Sequence, residues 1–380
     1  MNEEVFEVLE PGLLTTVQDR GRYGYQRFGV SVSGAMDVFS LRAANILAGN
    51  DQNSACLEMT AAGPRLRFLR ETLIAVTGGD LGFTLDGEQL PRWCSIRVQK
   101  DSVLASEGVQ DGFRAYLALA GGIEVPILMG SRSTYLKSGI GGFQGRALKA
   151  GDRLSVLPLE PGRELRERRL PEDLEPVHYG HHHDLRVILG PQDSAFTGEA
   201  IATLFDAKYS VSATSDRVGY RLEGPVLKHK RGPDIISDGS PLGAIQIPGD
   251  GLPIILLADR GSTGGYTKIA TVISSDVGRV AQAAPGDTVA FKKVSIEDAH
   301  AVLREEESLL RSLDREAAAA SAGSISIVVD GEDYEVTDEQ GKPLFEHLTP
   351  GAPHSTETRQ AKVTVGGRTQ EYNVQIRRGF

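Results

Sequence analysis

Residues 72–105 read TLIAVTGGDLGFTLDGEQLPRWCSIRVQKDSVLA, and the fold is decided here. The apolar runs 72–77, 83–85, 95–98 and 103–105 are each too short for a helix and are separated by turn residues such as Asp86-Gly87. The same rhythm extends both ways, through 56–59 and 66–68 before it and 114–120 and 153–156 after it, with Gly121-Gly122 and Gly151-Asp152 as turns. Short strands at regular spacing point to a closed barrel or a sandwich. A doubly wound sheet would need long helices between strands, and they are missing. A second region of the same style runs from Leu185 to about Val294. The expected class is therefore mainly β, with two related barrels.

The remaining segments fill out this frame. Residues 5–9 and 13–17 read as strands around the turn dipeptide Pro11-Gly12, and 38–48 as a short helix with Val38, Leu41, Ala44 and Ala48 on one face and Gly49-Asn50 as its stop. Residues 1–160 form the expected first barrel domain, and the proline-containing charged run 161–184 a linker. A second barrel domain follows over 185–295. Ser295 then caps a helix over 296–322, with Glu297 and Asp298 in its first turn and Leu310 and Leu313 on its apolar stripe. Residues 323–380 hold two β-runs, with Asp330-Gly331 and Gly366-Gly367 as turns, and read as a small appended β module. No Met-Lys-Met biotinylation site follows its opening hairpin.

At 380 residues the chain exceeds the about 250–300 that one core supports. A formal net charge of −10 argues against a general nucleic-acid or anionic-membrane binder, which would need a basic surface field. Two cysteines, Cys56 and Cys94, make no disulfide framework, and the acidic start Met-Asn-Glu-Glu lacks the basic end of a secretory segment. A cytoplasmic protein is the expectation.

Familiar catalytic signatures are missing: there is no Gly-x-Ser-x-Gly elbow, no His-Glu-x-x-His and no phosphate-binding Gly-x-x-x-x-Gly-Lys loop. Gly139-Ile-Gly-Gly-Phe-Gln-Gly145 lacks the dinucleotide spacing and a following helix, so it reads as a barrel turn. His181-His-His183 sits at a junction where adjacent side chains converge poorly on one ion, and no metal site is assigned. Four polar clusters carry chemistry. Asp19, Arg20 and Arg22 stand with Ser33 and Asp37 in a glycine-rich run, where turn and cap chemistry competes with ligand binding. Ser131 and Arg132, in Gly130-Ser-Arg-Ser-Thr134, offer donors for a carboxylate or phosphate. Asp216 and Arg217 either pair with each other or face a ligand. Asp238 precedes Ser262-Thr-Gly-Gly-Tyr-Thr-Lys268, where Gly264, Gly265 and Lys268 could receive an anion.

These clusters, together with Ala120-Gly-Gly-Ile123 and the blocks 189–196, 215–224 and 234–291, resemble the C-subunit family of 5-oxoprolinase, also called the allophanate hydrolase subunit 2 or biotin-dependent carboxyltransferase family. The resemblance runs over about residues 5–295. It departs at Asp259-Arg-Gly-Ser-Thr263, where Gln-Thr-Thr is the family pattern, and the tail lies outside it. It implies two cyclophilin-like β-barrels working with a B subunit of the kinase-inhibitor family and with an A subunit, to open 5-oxo-L-proline to L-glutamate with ATP and Mg²⁺.

A lactam is a poor electrophile, so phosphate on its oxygen would make the ring carbon a target. Arg22, Arg132, Arg217 and Lys268, with Ser131 and the Gly264-Gly265 backbone, would hold the phosphate. Asp19, Asp37, Asp216 and Asp238 would serve the metal or act as base. With no complete nucleotide loop, the ATP site is expected to be shared with the B subunit. Two alternatives come with the family: carboxyl transfer from carboxybiotin to urea or a related amide, and non-enzymatic antagonism of a kinase-inhibitor protein.

Overall fold

Strand Thr72–Asp80 alternates as a pleated strand must, turning Ile74 and Val76 into one core and Ala75 into another beneath helix α1 (Val38–Leu47). It belongs to an antiparallel five-stranded sheet in the spatial order Leu14–Gln18, Cys56–Thr60, Asp111–Leu119, Thr72–Asp80, Ser95–Val98. A seven-stranded sheet, centred on Glu4–Glu10 and Arg65–Phe68, faces it. Phe6, Phe68, Phe83 and Leu104 from that sheet meet Leu57, Met59 and Leu117 from the first in one core. Each such side chain, fully buried, contributes roughly 1.5–3 kcal/mol.

The computed structural model describes residues 4–159, 166–170 and 177–321, and in the tail strands Ser326–Val329, Glu332–Glu335, Glu357–Val365 and Arg368–Ile376. In the second half, residues 177–295, strand His182–Leu189 pairs in parallel with Thr288–Lys293 and antiparallel with Thr263–Val272. That double pairing closes the eight-stranded sheet into a barrel, from which only Asp234–Gly239 extends as a ribbon on Thr263–Val272. Helices α2 (Gly198–Asp206) and α3 (Val277–Gln282) pack on its core. The fold class expected from the sequence, mainly β with barrel closure, is the one observed, the second half closing as a barrel and the first packing two facing sheets.

The two halves are not separate bodies. Residues 1–317 form one compact unit, and 318–380 form another. The described part of the proline-containing connection lies on the first half, where Ser95 N donates to Arg168 O at 2.6 Å and Leu170 N donates to Trp93 O at 3.2 Å. Helix α4 (Ile296–Ser321) leaves the second barrel from a reciprocal cap, Asp298 N to Ser295 Oγ at 3.0 Å and Ser295 N to Asp298 Oδ2 at 3.2 Å. It then returns to the first half, burying Leu310 and Leu313 against the α1 core and pairing Glu307 with Arg42. In the second unit the two expected β-runs are hairpins, 326–329 with 332–335 and 357–365 with 368–376. Their turn dipeptides Asp330-Gly331 and Gly366-Gly367 lie outside the described residues.

Candidate functional site

The seam between the halves is built on Glu58. Strand Cys56–Thr60 turns Leu57 and Met59 into the barrel core, so Cys56, Glu58 and Thr60 face the other way, under α1 and the second half. Glu58 Oε2 accepts from Met36 N and from the Tyr116 hydroxyl, both at 2.8 Å. Glu58 Oε1 pairs with Arg217 Nη1 from the second half. Arg217 also donates to Asp259 through Nε at 3.0 Å and Nη2 at 3.2 Å, and to Gly34 O at 2.6 Å. Burial opposes the Arg217 charge, but the two carboxylates prevail and hold its pKa above the ordinary value. Burial, with the Glu58 charge beside it, pushes the Tyr116 phenol up, so it donates as a neutral hydroxyl. A cleft of about 540 Å³ opens beside this lock, with Leu13, Phe113 and Tyr220 on its apolar walls and Lys137, Arg217 and Asp259 as polar groups.

Asp19 and the Ser131-Arg132 loop come together as the sequence suggests, but the loop spends its polarity on itself. The buried Asp19 carboxylate accepts from Gly21 N at 2.8 Å, Ser131 Oγ at 2.7 Å, Arg132 N at 2.6 Å and the Ser133 hydroxyl. Arg22 is fully buried and donates to Leu128 O at 3.1 Å and Ser133 O at 2.8 Å, while its Nη1 has no partner. Burial pulls its pKa down, against the pull of Asp19 and Asp259. Arg132 turns away and donates from Nε to Val125 O at 3.2 Å. The 139–145 run is a turn packed on this loop: a Cβ on Gly142 would sit 1.8 Å from Thr134 Oγ1, so only glycine fits.

Asp37 caps α1, accepting from Ser40 N at 3.0 Å and Ser40 Oγ at 2.7 Å. It also accepts from Gln282 Nε2 of α3 at 2.9 Å, and Gln282 in turn accepts from Phe113 N and Arg114 N at 3.0 and 2.9 Å. This set is a second tie across the seam. Asp216 does not pair with Arg217; it is exposed and accepts from Val218 N at 2.8 Å and Gly219 N at 3.1 Å as a turn residue.

The fourth cluster differs, because it keeps a buried amide donor unused beside a buried lysine. Lys268 and Gln246 are directly paired residues on neighbouring strands of the second barrel, 1% and 7% exposed. Gln246 Nε2 has no hydrogen-bond partner, and Lys268 Nζ is held in an ion pair with Asp238. Asp238 Oδ2 lies 3.3 Å from Lys268 Nζ, at the end of a side chain 57% exposed on the ribbon. The Gly239 N–H and Lys268 hold the Asp238 carboxyl below its usual range. Gly264 makes room for the Gln246 amide, since a Cβ there would sit 2.4 Å from its Nε2, whereas Gly265 faces mostly open space.

The site residues expected from sequence therefore fall into three places: Asp19, Arg22, Ser131 and Arg132 in one loop cluster, Asp37 and Arg217 on the seam, and Asp238, Gly264 and Lys268 on the second barrel. Glu58, Tyr116 and Gln282 went unseen, whereas Gln246 lies within the fourth cluster expected from sequence. Glu58 and Gln246 each carry a signal, a polar side chain in an otherwise apolar short strand. Magnesium needs carboxylate oxygens free to bind it. Those of Asp19 and Asp37 are engaged by donors of this chain, and among the described residues no three His, Cys, Asp or Glu side chains gather as a metal site. Of the candidate acids, Asp216 and Asp238 keep exposed carboxylates. For a phosphate, Arg22 Nη1 and Lys268 Nζ offer donors, without a glycine loop opening a helix to cradle it.

Comparison with known proteins agrees with this architecture. The carboxyltransferase domain family, subdomain A and B, matches residues 28–293. The C subunit of Escherichia coli 5-oxoprolinase is 36% identical over 295 residues, covering 78% of this chain and 93% of that protein. Its Haemophilus influenzae counterpart is 34% identical, covering 82% and 98%. The Saccharomyces cerevisiae urea amidolyase is 36% identical over 81% of this chain, which spans only 18% of that protein. Among solved structures, the Kluyveromyces lactis urea carboxylase superposes with TM-score 0.78 at 33% identity over 97% of this chain and 33% of that one. TTHA0988 gives 0.68 at 37% identity over 76% of this chain and 56% of that one. A matched family model, a matched fold and relatives covered almost end to end lead to one statement: the chain belongs to the carboxyltransferase domain, subdomain A and B, family.

Proposed function

We propose that this chain is the C subunit of an ATP-dependent 5-oxoprolinase, opening 5-oxo-L-proline to L-glutamate together with a B subunit of the kinase-inhibitor family and an A subunit. The observation that carries this reading is coverage: the two 5-oxoprolinase relatives are matched over 93% and 98% of their length, the urea amidolyase over 18%. The buried cations Arg22 and Lys268 and the unpartnered Gln246 amide support it, because a small polar substrate with an amide and a carboxylate asks for buried positive charge and amide donors. Asp19 and Asp37 are engaged in the chain's own fold, so the metal and most of the nucleotide contact are assigned to the partner side. This chain contributes Arg22 and Lys268 as donors to the substrate.

The test is reconstitution. Mixed with candidate A and B subunits, ATP and Mg²⁺, the chain yields glutamate from 5-oxoproline, and omission of any one of the three proteins abolishes it; an assembled complex without product overturns the reading. A second reading, carboxyl transfer to urea or a related amide with biotin as carrier, is favoured by the urea carboxylase superposition over 97% of this chain. Carboxylation of urea on addition of a carboxybiotinylated carrier, with no glutamate formed, would select it.

A further inference from the structure

The buried network of Asp19 and Arg22 supports an exposed surface. Arg22 donates from Nε to Leu128 O at 3.1 Å and from Nη2 to Ser133 O at 2.8 Å, which ties the loop 23–29 to the loop 126–130. Each loop is also closed by its own backbone. Phe28 N and Gly29 N donate to Tyr25 O and Gln26 O, both at 2.9 Å, and Leu128 and Ser131 exchange bonds of 2.8 and 3.2 Å. On the outside of this base Tyr23, Phe28 and Ile127 are 63%, 66% and 60% exposed, and Leu128 and Met129 follow Ile127 into solvent. These five belong to only twelve large apolar side chains left exposed among the described residues. Scattered singly they would mean little, but gathered on two tied loops they mark a docking face. Met129 adds strain to exposure. It and Gly130 form the two-residue tip at φ +52 and +77, where Asn-Gly is the favoured pair and a long side chain is strained. The tip holds out a flexible apolar side chain of the kind that suits a binding surface.

We propose that the loops 23–29 and 126–130 are the docking face for a different protein subunit, one that presents an apolar patch with an acidic rim. Charge selects that occupant. Residues 20–30 and 125–140 contain five basic residues, Arg20, Arg22, Arg27, Arg132 and Lys137, and no acidic one, in a chain whose formal net charge is −10. Two copies meeting through this face on a two-fold axis would set basic loop against basic loop, so a second copy of the chain is the poorer fit. The Arg27 guanidinium lies 4.7 Å from the centre of the Phe28 ring, bracing the aromatic anchor and placing a cation at its edge. The solved structures that share this fold carry it as 56% and 33% of longer chains, so in them it is joined to further protein. The identity of the subunit rests on the 5-oxoprolinase reading above, and the surface rests on the two loops alone.

The test is calorimetric titration of the full chain with purified candidate B and A subunits, singly and mixed. Binding is seen, and its affinity falls as salt is raised because the rims are of opposite charge. Met129→Asn gives the tip the residue its backbone prefers. It raises the melting temperature and lowers affinity about tenfold or more, the loss expected of an anchoring side chain, and misfolding cannot produce that combination. Phe28→Asp puts an acid against the acidic rim and lowers affinity at least as far with an unchanged melting temperature, a second and independent variant. Unchanged affinity in both variants overturns the proposal and leaves the 5-oxoprolinase reading standing. Absence of binding to either subunit overturns both. Self-association lost in the two variants, or a single-stranded oligonucleotide held by these loops in place of a subunit, overturns the proposal as well. A complex that forms through these loops and yields no glutamate from 5-oxoproline instead overturns the 5-oxoprolinase reading and leaves the docking face assigned.

Discussion

Asp19 shows how a residue chosen for its chemistry can belong to architecture. An aspartate between arginines in a glycine-rich run looks like a base or a metal ligand, yet four donors of its own loop and of the 131–133 turn saturate it. Asp19→Ala leaves those buried donors without an acceptor. It should lower unfolding stability by on the order of 3 kcal/mol, measured by urea titration. Activity lost in that variant would therefore say little about catalysis. Lys268 is a different case, a buried charge whose carboxylate partner, Asp238, lies on an exposed side chain.

Helix α1 owes its start to Asp37, which caps it and holds Gln282 of α3. Asp37→Ala removes the cap and the tie, a loss of about 1–2 kcal/mol, and should speed hydrogen exchange of the first-turn amides ahead of the rest of the helix. Strand His182–Leu189 carries a pH effect, because its alternation buries His183 on the same face as Leu185 and Val187. Burial depresses the His183 pKa from 6.5, with His182 and Arg279 acting the same way and Asp287 opposing them. The unfolded chain then binds a proton that the folded chain resists. Stability is whole above 6.5 and falls as pH drops through that value toward the folded one. Urea midpoints should decline from about pH 7 to about pH 5.5, and His183→Gln should flatten the slope.

At the scale of the molecule, the Glu58–Arg217–Asp259 lock decides whether the halves act as one. Arg217→Met leaves two buried carboxylates facing each other without their cation, at a cost of about 3–5 kcal/mol. Adding Glu58→Gln should recover part of that loss, a coupling that unfolding curves of the single and double variants would reveal. Helix α4 strengthens the same union by crossing from the second barrel to the α1 core. A chain ending after Ala317 should keep the parent's cooperative thermal transition, since residues 1–317 form a compact unit of their own.

Local pattern determined the element types. Short apolar runs with glycine turns made strands, Ser33 to Asp37 announced α1, and the Leu310 and Leu313 stripe announced α4, because these depend on neighbours close in the chain. The motif order also placed the chain in its family. Partnership was decided only by tertiary structure. Glu58 reads as the solvent-facing position of a strand until a helix and a second barrel cover it, and Asp216-Arg217 reads as a pair until Arg217 is claimed by Glu58 and Asp259. Lys268 and Gln246 are 22 positions apart, and only the barrel's register puts them opposite each other. A charge finds its partner through space, and the strand pairing that closes that space is not written in either segment alone.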